Sequence, residues 1–583
     1  MSDFTISFNE SDYLGKVAAV DTNKVVVTIE DHDKMTNISV GNLISIQGKL
    51  GSEYLIGMIE RATRSTVEKM LEKNDNILED EAFELGDKQE DLIKIILIGT
   101  YRTVDGQNKN TFKRGADSFP QIDRACYQLT SHNLQNFMNL LSSDVKEEER
   151  MTLGHYIADQ KAIAIANGDS FFQRHAAILG STGSGKSWTV ALILERSAAL
   201  KYSNLIVLDM HGEYAPLCTE QRAFAEQFKI AGPGDLNSKN ENTLFLPYWM
   251  LNREEMLAMI LDRSDSNAPN QASRFTEHVR QLKGETLASL GKHDVLDTFT
   301  VDSPIFYDLS RLVDTLKSDD IGKKEGASGK PVNGDWYGRL TRFIARLEAK
   351  IEDRRYGFLF QPPSSTQDYQ WLANMMQKLF ETGGGQKGIK IIDFSEVPFD
   401  VLPIVVGVFA RLLYNIQFWM KPDERHPITL VCDEAHLYLP VKDEADAPEK
   451  RALEAFERIA KEGRKYGVSL LAVSQRPSDV SRTILSQCNN FMVLRLTNDQ
   501  DQNVVKRLVP ESMVGLTDIL PLLDTGEALI FGDSILLPTR IKVDIPSIHP
   551  ASATRKFWSD WSSQAPTPGA VSNAIETMRK QTR

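Results

Sequence analysis

HAAILGSTGSGKSWTVALILERSAALKY, residues 175–202, decides how the rest of the chain is read. A short apolar run ends at Leu179. The residues after it, Gly180, Ser181, Thr182, Gly183, Ser184, Gly185, Lys186 and Ser187, fit the spacing G-x-x-x-x-G-K-[ST]. WTVALILERSAALKY then follows with helical periodicity. Strand, glycine loop and helix, in that order, give this spacing its mechanism. The glycines let backbone N–H groups wrap a triphosphate, and the helix N-terminus adds a dipole that favours the anion. Lys186 then reaches the β- and γ-phosphates and Ser187 holds a magnesium ion. ATP and Mg²⁺ are the expected ligands.

Working outward, further buried-strand runs occur at 204–214, 388–395, 428–436, 467–477 and 491–497. Strands separated by helices imply an α/β fold with a parallel sheet, its chemistry gathered at the strand C-terminal ends. ITLVCDEAH brings Asp433 and Glu434 to such an end. Asp433 is the expected magnesium ligand, through water. Glu434 is the residue to polarise the attacking water. Taken alone, such a pair also serves as an ordinary helix N-terminal charge. VSQRP offers Gln475 as a sensor of the γ-phosphate, or else a plain strand-end turn. NLIVLDMHGEY sets Asp209, His211 and Glu213 past a strand end. A metal site is one reading. Positioning near the nucleotide or the central channel, with Glu213 as a second acid near the water, is the other. FERIAKEGRKYG carries Arg458, Arg464 and Lys465. An arginine here suits a finger reaching a neighbouring subunit's γ-phosphate, or a solvated helix face. Arg174, shortly before the loop, is a third candidate by position.

Lys+Arg total 67 and Asp+Glu 80, a formal net charge of −13. Bulk positive charge therefore cannot bind nucleic acid, and any such site must be local. Residues 68–91 concentrate the acidity, with ten Asp/Glu against three Lys. They interrupt a Val-rich β pattern that suggests a small barrel over 1–160. Amphipathic helices over 251–380 form an expected insertion within a core spanning 161–250 and 381–550, and 551–583 reads as a tail. The insertion contains a polar, glycine-rich loop at 317–336. Its Lys323, Lys324 and Lys330 suit a DNA contact or a plain solvated loop. The apolar stretch 401–419 contains Arg411, Asn415 and Gln417, which favours a buried core helix over a membrane span. Cys126, Cys218, Cys432 and Cys488 show no C-x-x-C spacing, so neither a disulfide framework nor a zinc site is expected. The N-terminus lacks a signal peptide's apolar region. A soluble, cytoplasmic protein without membrane contact is expected.

GSTGSGKS, DMHGEY, LPYW (246–249), CDEAH, EGRKYG, SQRPSDVSRTILSQCNNFMVLRL and GDSILLPTRIKV (532–543) occur in an order that resembles the HerA family. These are hexameric ATPases of the HerA/FtsK superfamily that act as DNA translocases. The resemblance implies a RecA-like P-loop NTPase core, an N-terminal barrel of the HAS type and a C-terminal brace on a neighbouring protomer. It implies a homo-hexamer with ATP sites between subunits and DNA in the central channel. It supports Arg464 as the trans arginine and Gln475 as the sensor. It also implies a partner effector, a nuclease or a sirtuin-like enzyme, docking on the barrel face in end processing or antiphage defence. A DNA translocase or helicase motor is the leading expectation. An ATP-regulated ring scaffold that activates a partner is the alternative, and a protein-transport ATPase a more distant one.

Overall fold

Among the described residues of the first 128 are seven strands: β1 (Tyr13–Asp21), β2 (Lys24–Ile29), β3 (Leu43–Gln47), β4 (Glu53–Thr66), β5 (Gln89–Arg102), β6 (Thr111–Arg114) and β7 (Ala125–Gln128). In the computed structural model of the protein they pair in the order β2-β1-β7-β3-β4-β5-β6, and β2 also pairs with β5. The sheet therefore closes on itself. One edge of β5 serves two partners: Asp91–Ile96 pair with β2, and Gly99–Arg102 with β6. Alternation explains the closure. Val25, Val27, Ile44, Ile46, Leu55, Ile93 and Ile95 all point inward and are fully buried, while Val26 and Lys94 between them are more exposed. In sequence the acidic segment follows β4, and its last residues, Gln89–Asp91, begin β5. At its root the buried Asp91 carboxylate accepts from Arg64 at 2.9 Å and lies 2.8 Å from His32 Nδ1. The hydrogen bond from Arg64 lowers its pKa despite its burial.

The structure describes residues 6–21, 24–49, 52–66, 89–103, 110–115, 118–143, 145–157, 159–238, 240–325, 331–383, 387–552, 557–563, 565 and 567–581. Most of the acidic segment 68–91, and Lys330 of the insertion loop, lie outside them. Two compact units are present: Met1–Arg196 with Ser474–Ser478 and Leu485–Pro546, and Ser197–Val473 with Asp479–Ile484 and Ser547–Arg583.

Besides the barrel, the first unit holds a run of six strands. Ala176–Leu179 pairs in parallel with Asn490–Val493. Glu527–Gly532, Thr539–Val543, Arg150–Tyr156 and Asp159–Asn167 continue from there, all antiparallel. The second unit is a parallel run in the order Thr243–Leu244, Ala225–Ile230, Ile389–Asp393, Leu205–Asp209, Ile428–Cys432 and Val468–Ser474, the last residue counting with the first unit. Leu205–Asp209, Ile428–Cys432 and Val468–Ser474 are buried along their whole length. Covered on both faces, a parallel strand must be apolar throughout, which is why these runs stand out in the sequence.

The apolar stretch forms the helix Leu402–Trp419, long and apolar enough to cross a membrane, yet largely buried within the unit. A Cβ at Gly407 would come within 2.7 Å of the Ala452 Cα, so this helix crosses Ala447–Glu462 at close range. Arg411 is satisfied by Glu255 at 2.6 and 2.8 Å and by the Met250 carbonyl at 2.8 Å. Between Leu251 and Phe380 the longer elements are helices: Arg253–Ile260, Ala268–Ser289, Leu309–Ile321, Thr341–Glu352 and Trp371–Phe380. The polar stretch between two of them contains a two-stranded ribbon, Lys323–Glu325 against Pro331–Asn333, with Lys324 paired to Asp335.

Candidate functional site: a phosphate loop and an acidic crest

In the first unit the buried strand Ala176–Leu179 delivers Gly180, and the helix Lys186–Ala198 begins six residues later. The intervening turn is fixed by backbone bonds. Gly180 N–H donates to the Ser474 carbonyl at 3.2 Å, Ser181 N–H to that of Arg495 at 2.8 Å, and Gly526 N–H to that of Ser184 at 2.9 Å. Gly183 and Gly185 sit at φ 73° and 105°, values that favour glycine. At Gly183 an added Cβ would meet nothing within 4 Å, so open space adjoins the turn. Lys186 is 8% exposed, and its ammonium donates to the Ser181 carbonyl at 3.4 Å. Thr525 donates to the Gly183 carbonyl at 3.3 Å. Gln475, at the end of the strand Val468–Ser474, comes directly to the loop: its amide oxygen accepts from the Thr182 hydroxyl at 2.5 Å. Arg174 goes elsewhere. Its guanidinium pairs with Asp533 at 2.5 Å.

In the second unit the strands Ile389–Asp393, Leu205–Asp209 and Ile428–Cys432 are neighbours, and Asp209 is in register with Asp393. Their common C-terminal end is an acidic crest of Asp209, Glu213, Asp393, Asp433 and Glu434. Asp209 organises the loop that follows it. It accepts from the N–H groups of His211 at 3.3 Å, Glu213 at 3.1 Å and Tyr214 at 3.0 Å. Burial pushes its pKa up to about 6, against those three donors, with Asp393 adding to the rise. A carboxylate so committed to backbone is a loop-former, and among the described residues no group of three or more His, Cys, Asp or Glu is arranged to hold a metal. Asp433 is 4% exposed, and its pKa is raised by burial first and then by Glu434, Asp209 and Glu213. Glu434 adopts φ 47°, ψ 45°, the left-handed region. A non-glycine residue there stores of order 1–3 kcal/mol of strain, a cost found mostly at functional sites. His436 Nδ1 lies 3.3 Å from its carboxylate.

The two arginines after the crest have different surroundings. Arg458 lies over the rings of Tyr414 and Phe418, 4.6 and 5.8 Å from their centroids. Arg464 lies exposed on the turn Gly463–Tyr466. That turn precedes Val468, which pairs in parallel with Ile428, whereas Asp433 follows Cys432, which pairs with Ala472. Arg464 and Asp433 thus occupy opposite ends of adjacent parallel strands, about 16 Å apart along them. Within one chain, Arg464 cannot reach the crest.

Sequence reasoning missed three features. The strand IKIID brings Asp393 beside Asp209, just as NLIVLD ends in its own aspartate. Glu434 is left-handed. Tyr214 has a buried hydroxyl facing the crest.

A buried strand running into this glycine loop, with a lysine at the helix start and an acidic pair at the end of another buried strand, defines a P-loop ATPase with an α/β, RecA-like core. The family model described as the HerA helicase central domain matches residues 151–413. A probable helicase of Methanocaldococcus jannaschii is 28% identical over 398 residues, covering 68% of this chain and 67% of that protein. The DNA double-strand break repair helicases HerA of Sulfolobus acidocaldarius and Pyrococcus furiosus are 29% and 26% identical, each match covering 64% of this chain and 65% of the relative. The matched part thus spans about two thirds of these relatives. Among solved structures, VirB4 of Thermoanaerobacter pseudethanolicus covers 71% of this chain and 98% of its own at 16% identity and a TM-score of 0.44. The conjugative coupling protein TrwB covers 72% and 93% at 15% identity and 0.43. Those two likenesses are too distant to inform the reading of the site.

Proposed function

We propose that the chain is the ATP-hydrolysing subunit of a ring motor that moves along DNA. The observation that carries this reading is the hydrogen bond from Thr182 to Gln475. It ties the phosphate loop to a strand-end amide, so a change at the γ-phosphate is felt beyond the pocket, as motion requires and passive binding does not.

The residues present fit a magnesium nucleotide. The glycines in left-handed conformations leave the loop's N–H groups free of Cβ crowding, and open space lies beside Gly183. A carboxyl as buried and as crowded by other acids as Asp433 suits a site that receives a cation. Magnesium keeps several waters and takes one or two protein ligands plus phosphate oxygens, so Ser187 and Asp433 suffice without a three-residue cluster. When bound, the ion neutralises phosphate charge. Lys186 then binds and orients the β- and γ-phosphates, Glu434 orients the attacking water, and Gln475 senses the γ-phosphate. Arg464, at the wrong end of its own strand for a role in cis, supplies charge to a neighbour's site. This supports a ring, in the family's case a homo-hexamer.

The relatives named as DNA repair helicases support DNA as the track, passing through the central channel. An outer surface carrying most of the −13 per chain keeps DNA off the outside. In this reading 161–250 and 381–550 form the motor, 251–380 an insertion and 551–583 the brace. The N-terminal barrel, whose strands end at Gln128 because Arg150–Tyr156 pairs instead with Thr539–Val543, docks a nuclease or sirtuin-like effector, and the assembly works in the cytoplasm. Steady-state ATP turnover with and without linear duplex DNA tests the proposal. Stimulation by DNA is expected. Turnover indifferent to DNA favours the ATP-regulated scaffold instead.

A further inference from the structure

Two tyrosines flank Asp433, and they differ in one respect. Both are wholly buried, and burial holds both phenols well above their ordinary pKa. The Tyr438 hydroxyl donates to the backbone carbonyl of Asp433 at 2.9 Å. It is a structural strut for the turn that carries the acidic pair. The Tyr214 hydroxyl has no hydrogen-bond partner among the described residues.

That vacancy is not a loose end of a mobile loop. Tyr214 N–H is tied to the Asp209 carboxylate, and the Glu213 carbonyl accepts from Ala551 N–H at 2.7 Å. The backbone on both sides of the ring is therefore fixed. The hydroxyl lies within electrostatic range of the crest's carboxylates. After burial, Asp433 acts on it most strongly, followed by Asp209, Glu213 and Glu434. Of these, Asp209 is already committed to three backbone donors. A buried hydroxyl left unsatisfied is costly and rare in a folded protein, and where one persists it marks a functional or strained position. A phenol can donate one proton, and a carboxylate can accept it.

We propose that Tyr214 is a positioning residue of the nucleotide site, its hydroxyl donating to the acidic pair Asp433–Glu434 and fixing the pair's side-chain orientation in the working state. The proposal rests on the ATPase reading above. Tyr214 touches neither phosphate nor water in this account. It acts through the carboxylates, so its loss affects how well they are aimed rather than whether nucleotide binds.

Tyr214→Phe removes the oxygen and keeps the ring. Tyr438→Phe is its counterpart at the strut. Steady-state ATP hydrolysis and thermal unfolding of wild type and both variants, as full-length protein, test the assignment. For Tyr214→Phe the expected result is a fall in kcat of about tenfold or more with KM for ATP unchanged, and a Tm no lower than wild type because no existing hydrogen bond is lost. For Tyr438→Phe a lowered Tm is expected. A Tyr214→Phe protein that turns over within twofold of wild type overturns the assignment, and so does one whose lost rate is matched by a lowered Tm, which would make the residue merely structural. Wild-type protein that hydrolyses no ATP would instead overturn the reading of the whole site, and this role with it.

Discussion

The phosphate loop and the acidic crest are built from opposite materials. Gly180–Ser187 works through backbone: its shape is set by main-chain bonds and by two glycines in the left-handed region, and Lys186 is its one charged side chain. The crest works through side chains, five carboxylic acids gathered at neighbouring strand ends, with Asp209 and Asp433 almost without solvent. Backbone donors are already oriented and keep their geometry at any pH. Buried carboxylates must be held against their own burial and against each other. The loop should therefore depend on Lys186, Ser187 and its left-handed glycines and be indifferent to pH, whereas the crest should respond to nearly every substitution and to pH.

Substitutions sharpen that contrast. Lys186→Ala, which removes the loop's only charge, should leave no measurable ATP turnover, a loss of at least about 10⁴-fold. Arg464→Ala should lose about 10³-fold while retaining ATP binding, as expected for a finger acting in trans. Mixing Arg464→Ala with Lys186→Ala subunits should recover part of the activity, because each supplies what the other lacks. Mixtures as inactive as their components would remove the trans role. Glu434→Gln should still bind ATP and hydrolyse it about 10²-fold or more slowly, as followed by nucleotide binding and phosphate release on the same samples.

The smallest effect is on stability. The Asp209 pKa, raised to about 6 by burial, lies above that of an exposed aspartate. The folded chain therefore binds this proton more tightly than the unfolded one. Its stabilising contribution is fully present below about pH 4 and is lost as pH rises through about 6. Relative to Asp209→Asn, wild type should gain up to about 3 kcal/mol between pH 7 and pH 4. Parallel unfolding curves at both pH values would show the rise to be absent.

The same contrast explains what the sequence made visible. Strands buried on both faces have to be apolar throughout, so Ala176–Leu179, Leu205–Asp209, Ile389–Asp393, Ile428–Cys432 and Val468–Ser474 all lie within runs legible as buried strands, and the loop between the first strand and its helix carries its own spacing. Alternation likewise disclosed the barrel. The hairpin Arg150–Tyr156 with Asp159–Asn167 was not legible as part of the α/β sheet, because its partner, Thr539–Val543, lies nearly 400 residues away in sequence. Ala225–Ile230 mixes Glu, Gln and Lys into a short strand and shows no apolar run. At the site, residue type disclosed Lys186, Asp433, Glu434 and Gln475 as candidates. It could not disclose that Arg174 is spent on Asp533, that Arg458 lies on two aromatic rings, or that Tyr214 keeps an unpartnered hydroxyl, since each depends on contacts between distant parts of the chain.

The proposed activity is DNA-driven hydrolysis of ATP, with Glu434 as its water-orienting residue. Its most direct test is the rate of phosphate release from ATP by wild type and Glu434→Gln, each with and without linear duplex DNA. The account predicts that DNA raises the wild-type rate and that Glu434→Gln stays slow in both conditions. A wild-type rate indifferent to DNA, or a Glu434→Gln protein as fast as wild type, would contradict it.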